Sequence, residues 1–241
     1  MKVSSKGLDL IRNFEGLHCK AYKDAVGVLT IGYGITNADK DVVGKTITAD
    51  MTITKDTAEA WLKECIDKKY GPLVAKYDNV YHWNQNQFDA LCSFCYNIGS
   101  IKQLTDDGQR DTETIARKIL AYNKAGGKVL QGLVRRRKAE HDLFCEPVYV
   151  GYSGKFPELP RRGRYIVGDG YKSNLDSKSQ IKRVQLVLNW VLCGNLVIDG
   201  KYGEKTAEAV RRLQKAKGLP VNGKFGNLSL KACKEHRKMV V

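Results

Sequence analysis

The sequence predicts an α+β domain, with a small antiparallel sheet beside a mainly helical lobe, followed by a small all-α domain of three helices. Three observations predict it. Apolar residues recur at helical spacing over residues 5–14, 55–69, 84–97 and 132–144. Between the first two of these, residues 20–36 switch to short β-prone runs broken by glycines. Beyond residue 176, two copies of one short loop pattern separate further helical stretches.

Ser4 and Ser5 precede Leu8, Ile11 and Phe14, the pattern of an N-capped amphipathic helix, and Gly16 can end it in a left-handed cap. Asp24-Ala25-Val26-Gly27 reads as a hairpin turn, with a strand following from Val28 to Ile31. Thr54 and Asp56 open the second helix, and its Trp61, Leu62, Cys65 face points inward. The helices near 84–97 and 132–144 complete the lobe. A cleft is expected between lobe and sheet.

That cleft would receive two carboxyls and a hydroxyl. Glu15 stands at the end of the first helix, Asp24 on the open turn and Thr30 on the strand. Partial burial beside Phe14 suits a carboxyl that must hold a proton, whereas a solvated turn suits one that must stay ionised. Hydrolysis of a glycosidic bond needs such a pair: one acid to protonate the leaving oxygen, one base to handle water.

The run Glu15-Gly16-Leu17, Ala21-Tyr22-Lys23-Asp24, Gly27-Val28 and Thr30-Ile31-Gly32-Tyr33-Gly34 resembles the catalytic segment of the phage-type lysozymes. Gln87-Phe88-Asp89-Ala90-Leu91, Ser93-Phe94 and Tyr96-Asn97 resemble that family's central helix, and Gly132-Leu133, Arg136-Arg137 and Ala139-Glu140 its arginine-bearing helix. The resemblance implies that Glu15 is the general acid, that Asp24 and Thr30 position the attacking water, and that the reaction inverts the anomeric centre. It implies also that Arg136 steadies the acid and that Tyr96 and Asn97 line the sugar cleft. One departure stands out. Ile35 follows Gly34 where the family carries a histidine, which implies altered stability rather than lost chemistry.

Seven cysteines, scattered and odd in number, do not read as a disulfide framework, and free thiols fit a reducing compartment. Cys92 and Cys95 fall inside an apolar helix and read as core, and the four histidines lack ligand spacing, so neither metal nor cofactor is expected. No run reaches the ~18 apolar residues of a membrane helix, and Met-Lys-Val-Ser-Ser-Lys-Gly lacks a signal's apolar core. The expectation is a monomer made in the cytoplasm.

The net charge of +15 is concentrated late: residues 176–241 hold 14 Lys+Arg against 5 Asp+Glu. An anionic target is implied. Pro147, Pro157 and Pro160 with five glycines mark residues 147–175 as a linker between domains 1–146 and 176–241. In the second domain Asp199-Gly200-Lys201-Tyr202-Gly203 is echoed by Asn222-Gly223-Lys224-Phe225-Gly226, each an Asx-Gly turn, an aromatic and a glycine before a helix. With Ala209-Val210, Leu213-Gln214 and Gly218-Leu219-Pro220 this resembles the peptidoglycan-binding domain of cell-wall hydrolases.

Together the resemblances imply a modular endolysin, a muramidase that cuts between N-acetylmuramic acid and N-acetylglucosamine while its tail holds peptidoglycan. Anionic wall polymers or outer-membrane lipid are further expected partners. A bacterial autolysin, an exported lysozyme-like effector and a wall-binding protein without catalysis are the alternatives. No helix-turn-helix, zinc or RNA-recognition signature accompanies the charge, so nucleic acid is not expected.

Overall fold

A computed structural model describes residues 1–146, 155–171, 175–194 and 196–240. It divides into two units, Met1–Phe144 and Cys145–Val241.

In the first unit, helix α1 (Ser5–Glu15) is capped by Ser4, whose hydroxyl accepts from the Gly7 amide. Strands β1 (His18–Lys23), β2 (Leu29–Gly32) and β3 (Ile35–Thr36) form an antiparallel sheet in that order. Tyr22 pairs with Thr30, and Thr30 with Thr36, so Thr30 sits mid-sheet. A short α2 (Lys40–Val43) leads to α3 (Lys55–Cys65), capped by Thr54 as expected. The helix expected to reach residue 69 changes at Ile66–Tyr70 into a π-helical turn before α4 (Gly71–Ala75). Further short helices follow: α5 (Asp78–Tyr81), then after the core helix α7 (Lys102–Thr105) and α8 (Thr112–Ile119). A small hairpin, β4 (Lys124–Ala125) with β5 (Lys128–Val129), precedes α9 (Gln131–Cys145).

The core helix is α6 (Gln85–Ile98), opened by a capping box in which Asn84 and Gln87 exchange side-chain bonds with each other's amides. Phe88, Ala90, Leu91, Cys92, Phe94 and Cys95 are buried along it. Asp89, fully buried, accepts from the Ser4 amide at 2.9 Å and from the Ser4 hydroxyl, which pins the start of α1. Gly7 permits the crossing: a Cβ there would lie 2.8 Å from the Cβ of Asp89. Glu15, eight residues on, inherits that placement.

In the second unit α10 (Leu175–Val191), α11 (Glu204–Ala216) and α12 (Asn227–Val240) enclose a core of Ile181, Val184, Val187, Leu188, Val210 and Leu213. Besides the three expected helices there is a two-stranded sheet, β6 (Arg164–Tyr165) with β7 (Phe225–Gly226). The stretch read as linker therefore supplies a strand. Tyr165 is buried in this core, Phe156 packs edge-on to Trp190, and Arg183 pairs with Glu158 at 2.6 Å. Residues 147–154 and 172–174 of that stretch lie outside the described residues.

Both Asx-Gly turns are present, with Gly200 at φ +77° and Gly223 at φ +69°. Each is gripped by a glutamine. Gln185 donates to Asp199 and to the Lys201 carbonyl and accepts from the Gly200 amide. Gln214 donates to Asn222 and to the Lys224 carbonyl and accepts from the amides of Asn222 and Gly223. The Tyr202 hydroxyl ties the copies together by donating to the Gly223 carbonyl at 2.9 Å.

The expectation of seven free thiols is corrected. Cys145 and Cys193 form a disulfide across a separation of 48 residues, while Cys19, Cys65, Cys92, Cys95 and Cys233 are free. Burial pushes the Cys95 thiol up to about 12, so this is a core position without thiolate chemistry. Among the described residues no group of His, Cys, Asp and Glu could hold a metal, and no helix is long and apolar enough to cross a membrane.

Candidate active site

Glu15 is the last residue of α1, and Gly16 follows at φ +72° with its amide bonded to the Arg12 carbonyl. The helix thus stops where the carboxyl must emerge. Its side chain is 20% exposed. Arg136 of α9, almost wholly buried, donates from Nη1 to Glu15 Oε1 at 2.6 Å. The other oxygen, Oε2, faces Gly34, where a Cβ would stand 3.3 Å away. With φ +92°, Gly34 also takes a conformation that disfavours side chains. The absent side chain leaves Oε2 a gap.

Asp24 lies where the turn predicts. Its Oδ1 accepts from the amides of Val26 at 3.0 Å and Val28 at 2.8 Å, which fixes the carboxylate; Oδ2 accepts from no group among the described residues. Thr30 and Asp24 meet at one atom: the Val28 carbonyl accepts from the Thr30 hydroxyl at 3.1 Å and from the Asp24 amide at 2.9 Å. Tyr22, paired with Thr30, reports both acids. Burial, then the charges of Asp24 and Glu15, push its phenol above the ordinary 10.0. Glu15, Asp24 and Thr30 are therefore gathered around one stretch of sheet.

The other expected residues divide. Arg136 is at Glu15. Asn97 is exposed at the end of α6, its Oδ1 held by Arg137 Nη2 at 2.8 Å. Tyr96 is mostly buried, and its hydroxyl donates to the Tyr33 carbonyl at 2.7 Å, so it braces the turn that carries Gly34. Burial, and next the charge of Glu15, hold that phenol well above its ordinary value. Ile35, in place of the histidine, is fully buried with Ile31, Val43, Ile47 and Cys65.

Sequence reasoning missed the anchors behind Arg136. Glu140 Oε1 accepts from Arg136 Nε at 3.0 Å and from the Ser93 hydroxyl at 2.7 Å, and the Ser93 carbonyl accepts from Arg136 Nη2 at 3.2 Å. Their signal was position alone, in the two segments already quoted. A separate hollow of about 440 Å³, lined by Ile98, Lys102, Gln103, Asp106 and Tyr122 among others, includes none of Glu15, Asp24 and Thr30.

Residues 12–140, more than half of the sequence, match the protein family described as Phage lysozyme. The chain belongs to the phage lysozyme family. Residues 177–232 match a second family, described as "Putative peptidoglycan binding domain". The endolysin of Lactococcus phage c2 is 41% identical over 150 residues, covering 61% of this chain and 62% of that protein. The chain thus spans less than two thirds of that relative's length. The endolysin of Salmonella phage P22 is 34% identical over 155 residues, covering 60% of this chain and 98% of that protein. Among solved structures, the endolysin from Escherichia coli O157:H7 phage FAHEc1 superposes with a TM-score of 0.50 at 34% identity, over 62% of this chain and 97% of that one. The lysozyme-like fold of the first unit is shared with that structure.

Proposed function

We propose that this phage lysozyme is an endolysin that hydrolyses the β-1,4 bond between N-acetylmuramic acid and N-acetylglucosamine in bacterial peptidoglycan. The observation that carries the reading is Glu15, ended on a helix, clamped at Oε1 by Arg136 and open at Oε2 beside Gly34. Protonated Glu15 donates from Oε2 to the leaving glycosidic oxygen. As the proton leaves, the carboxylate charge develops against the fixed guanidinium of Arg136, a preorganised stabilisation needing no rearrangement. Water held by Asp24 Oδ2 and by a lone pair of Thr30 attacks the anomeric carbon from the opposite face. Its proton passes to Asp24, the C–O bond breaks, and the configuration inverts.

The second unit holds the enzyme on the wall. Its excess of Lys and Arg adds attraction to anionic wall polymers or outer-membrane lipid. Tethering raises the effective concentration of the catalyst at an insoluble substrate.

Digestion of purified peptidoglycan, borohydride reduction of the new ends and mass spectrometry test the bond cleaved. Muramitol ends are expected. Glucosaminitol ends, or peptide cuts with intact glycan, would overturn the assignment.

A further inference from the structure

We infer that Glu140 is a positioning residue that sets two cleft groups at once: Glu15 through Arg136, and Asn97 through Arg137. The inference rests on the muramidase reading and on Asn97 lining the cleft.

Glu140, fully buried on α9, carries an arginine on each side. Arg136 reaches from it to the acid, at 3.0 Å and 2.6 Å along the relay. Arg137, fully buried too, pairs with Glu140 Oε2 at 3.2 Å without the alignment of a hydrogen bond, and lays its guanidinium over Phe94 at 4.8 Å. From there Nη2 donates to Asn97. Ser93 of α6 donates to the same carboxylate, so the helix bearing Asn97 and the helix bearing both arginines are locked to one group.

Stability alone explains this arrangement poorly. Buried ion pairs lose in desolvation about what they regain in attraction, and apolar replacements of equal volume are often as stable or more so. The pull of burial is visible here: it raises Glu140 against the opposing effect of both arginines, and lowers Arg137. What the cluster does supply is direction. Two guanidiniums that face the same carboxylate cannot rotate freely, and each presents its outer nitrogen to one cleft residue.

The test measures kcat and KM on soluble glycan fragments of peptidoglycan, well below every variant's melting midpoint. Wild type and Glu15→Gln come first. If wild type does not cut, or Glu15→Gln cuts equally, the muramidase reading falls and this inference with it. Given a wild type that cuts and a crippled Glu15→Gln, Glu140→Gln is expected to lower kcat roughly 10- to 100-fold, the order of loss a small misplacement causes, and to raise KM. Arg137→Met is expected to raise KM severalfold with a smaller effect on kcat. The double variant Glu15→Gln/Glu140→Gln should have a kcat no lower than Glu15→Gln alone, because Glu140 acts on kcat through Glu15, while the rise in KM through Asn97 persists. A Glu140→Gln protein that melts lower yet keeps kcat and KM, or a double variant whose kcat losses multiply, would overturn the inference. Should Glu140→Gln fail to fold, Ser93→Ala removes only one bond to the same carboxylate. A severalfold fall in kcat that vanishes in the Glu15→Gln background supports the proposal, and an unchanged or independent kcat overturns it.

Discussion

Gly34 shows how much of the site depends on an absent atom. In the proposed reaction Glu15 Oε2 needs a gap to meet a glycosidic oxygen, and a methyl at residue 34 would stand 3.3 Å from it on a backbone at φ +92°. Gly34→Ala is therefore expected to destabilise the fold by about 1–3 kcal/mol and, in protein that remains folded, to lower kcat by about 10²-fold. Urea unfolding and steady-state hydrolysis check the two parts separately. At this level the sequence was legible wherever chemistry and local structure coincide. Glu15 stands at the edge of the sheet because its helix ends at Gly16, and Asp24 is fixed because its carboxylate caps its own turn; the roles proposed for both follow from those placements. The Tyr96 hydroxyl donates to the Tyr33 carbonyl and so braces the turn that carries Gly34, and nothing in residue type or spacing reveals that orientation.

The repeated turns of the second unit carry the clearest lesson about elements. Each turn was readable from Asx-Gly and its aromatic, but the glutamine that grips it was not. Gln185 precedes its turn by 14 residues and Gln214 by 8, so no common spacing betrays the pair. Gln214→Leu keeps volume and strips the amides of Asn222 and Gly223 of a buried acceptor; a loss of about 1–3 kcal/mol is expected by urea unfolding. The first copy also titrates. Although burial opposes it, hydrogen bonds from Gln185 and the Lys201 amide hold Asp199 below its ordinary 3.8. A carboxylate lowered by folding contributes stability that is fully present above 3.8 and is lost as pH falls through the lower folded value. Asp199→Asn, which copies Asn222, should lose the carboxylate's contribution at neutral pH and flatten the acid-side slope below the ordinary 3.8, where the wild type loses it. Short helices such as α4, α5 and α7 escaped the sequence reading because four or five residues cannot display a helical period. The π-turn at Ile66–Tyr70 escaped it because its apolar pattern continues that of α3.

Across the whole chain, the order of parts was legible and one connection was not. Prolines and glycines at 147–175 mark an irregular backbone, and irregular backbone need not be unattached. Gly163 approaches Gly226 so closely that a Cβ would sit 2.4 Å from its carbonyl carbon, and one at Gly170 would sit 2.0 Å from the Gly200 oxygen. A fragment beginning at residue 155 is therefore expected to unfold cooperatively. One beginning at residue 175 lacks β6 and buried Tyr165 and should melt lower or not fold, as circular dichroism on both will show. The disulfide was hidden for a related reason: its cysteines belong to no spacing pattern, and only the fold brings residues 145 and 193 together.

In the proposed mechanism Glu15 gives the proton that breaks the glycosidic bond. Release of reducing sugar from purified peptidoglycan by wild type and by Glu15→Gln, with binding followed by pull-down, tests it most directly. General-acid catalysis contributes about 10²–10⁴-fold, so the variant should bind as wild type does and cut slower by that factor. Equal cutting by the two proteins would contradict the account and move the chemistry away from Glu15.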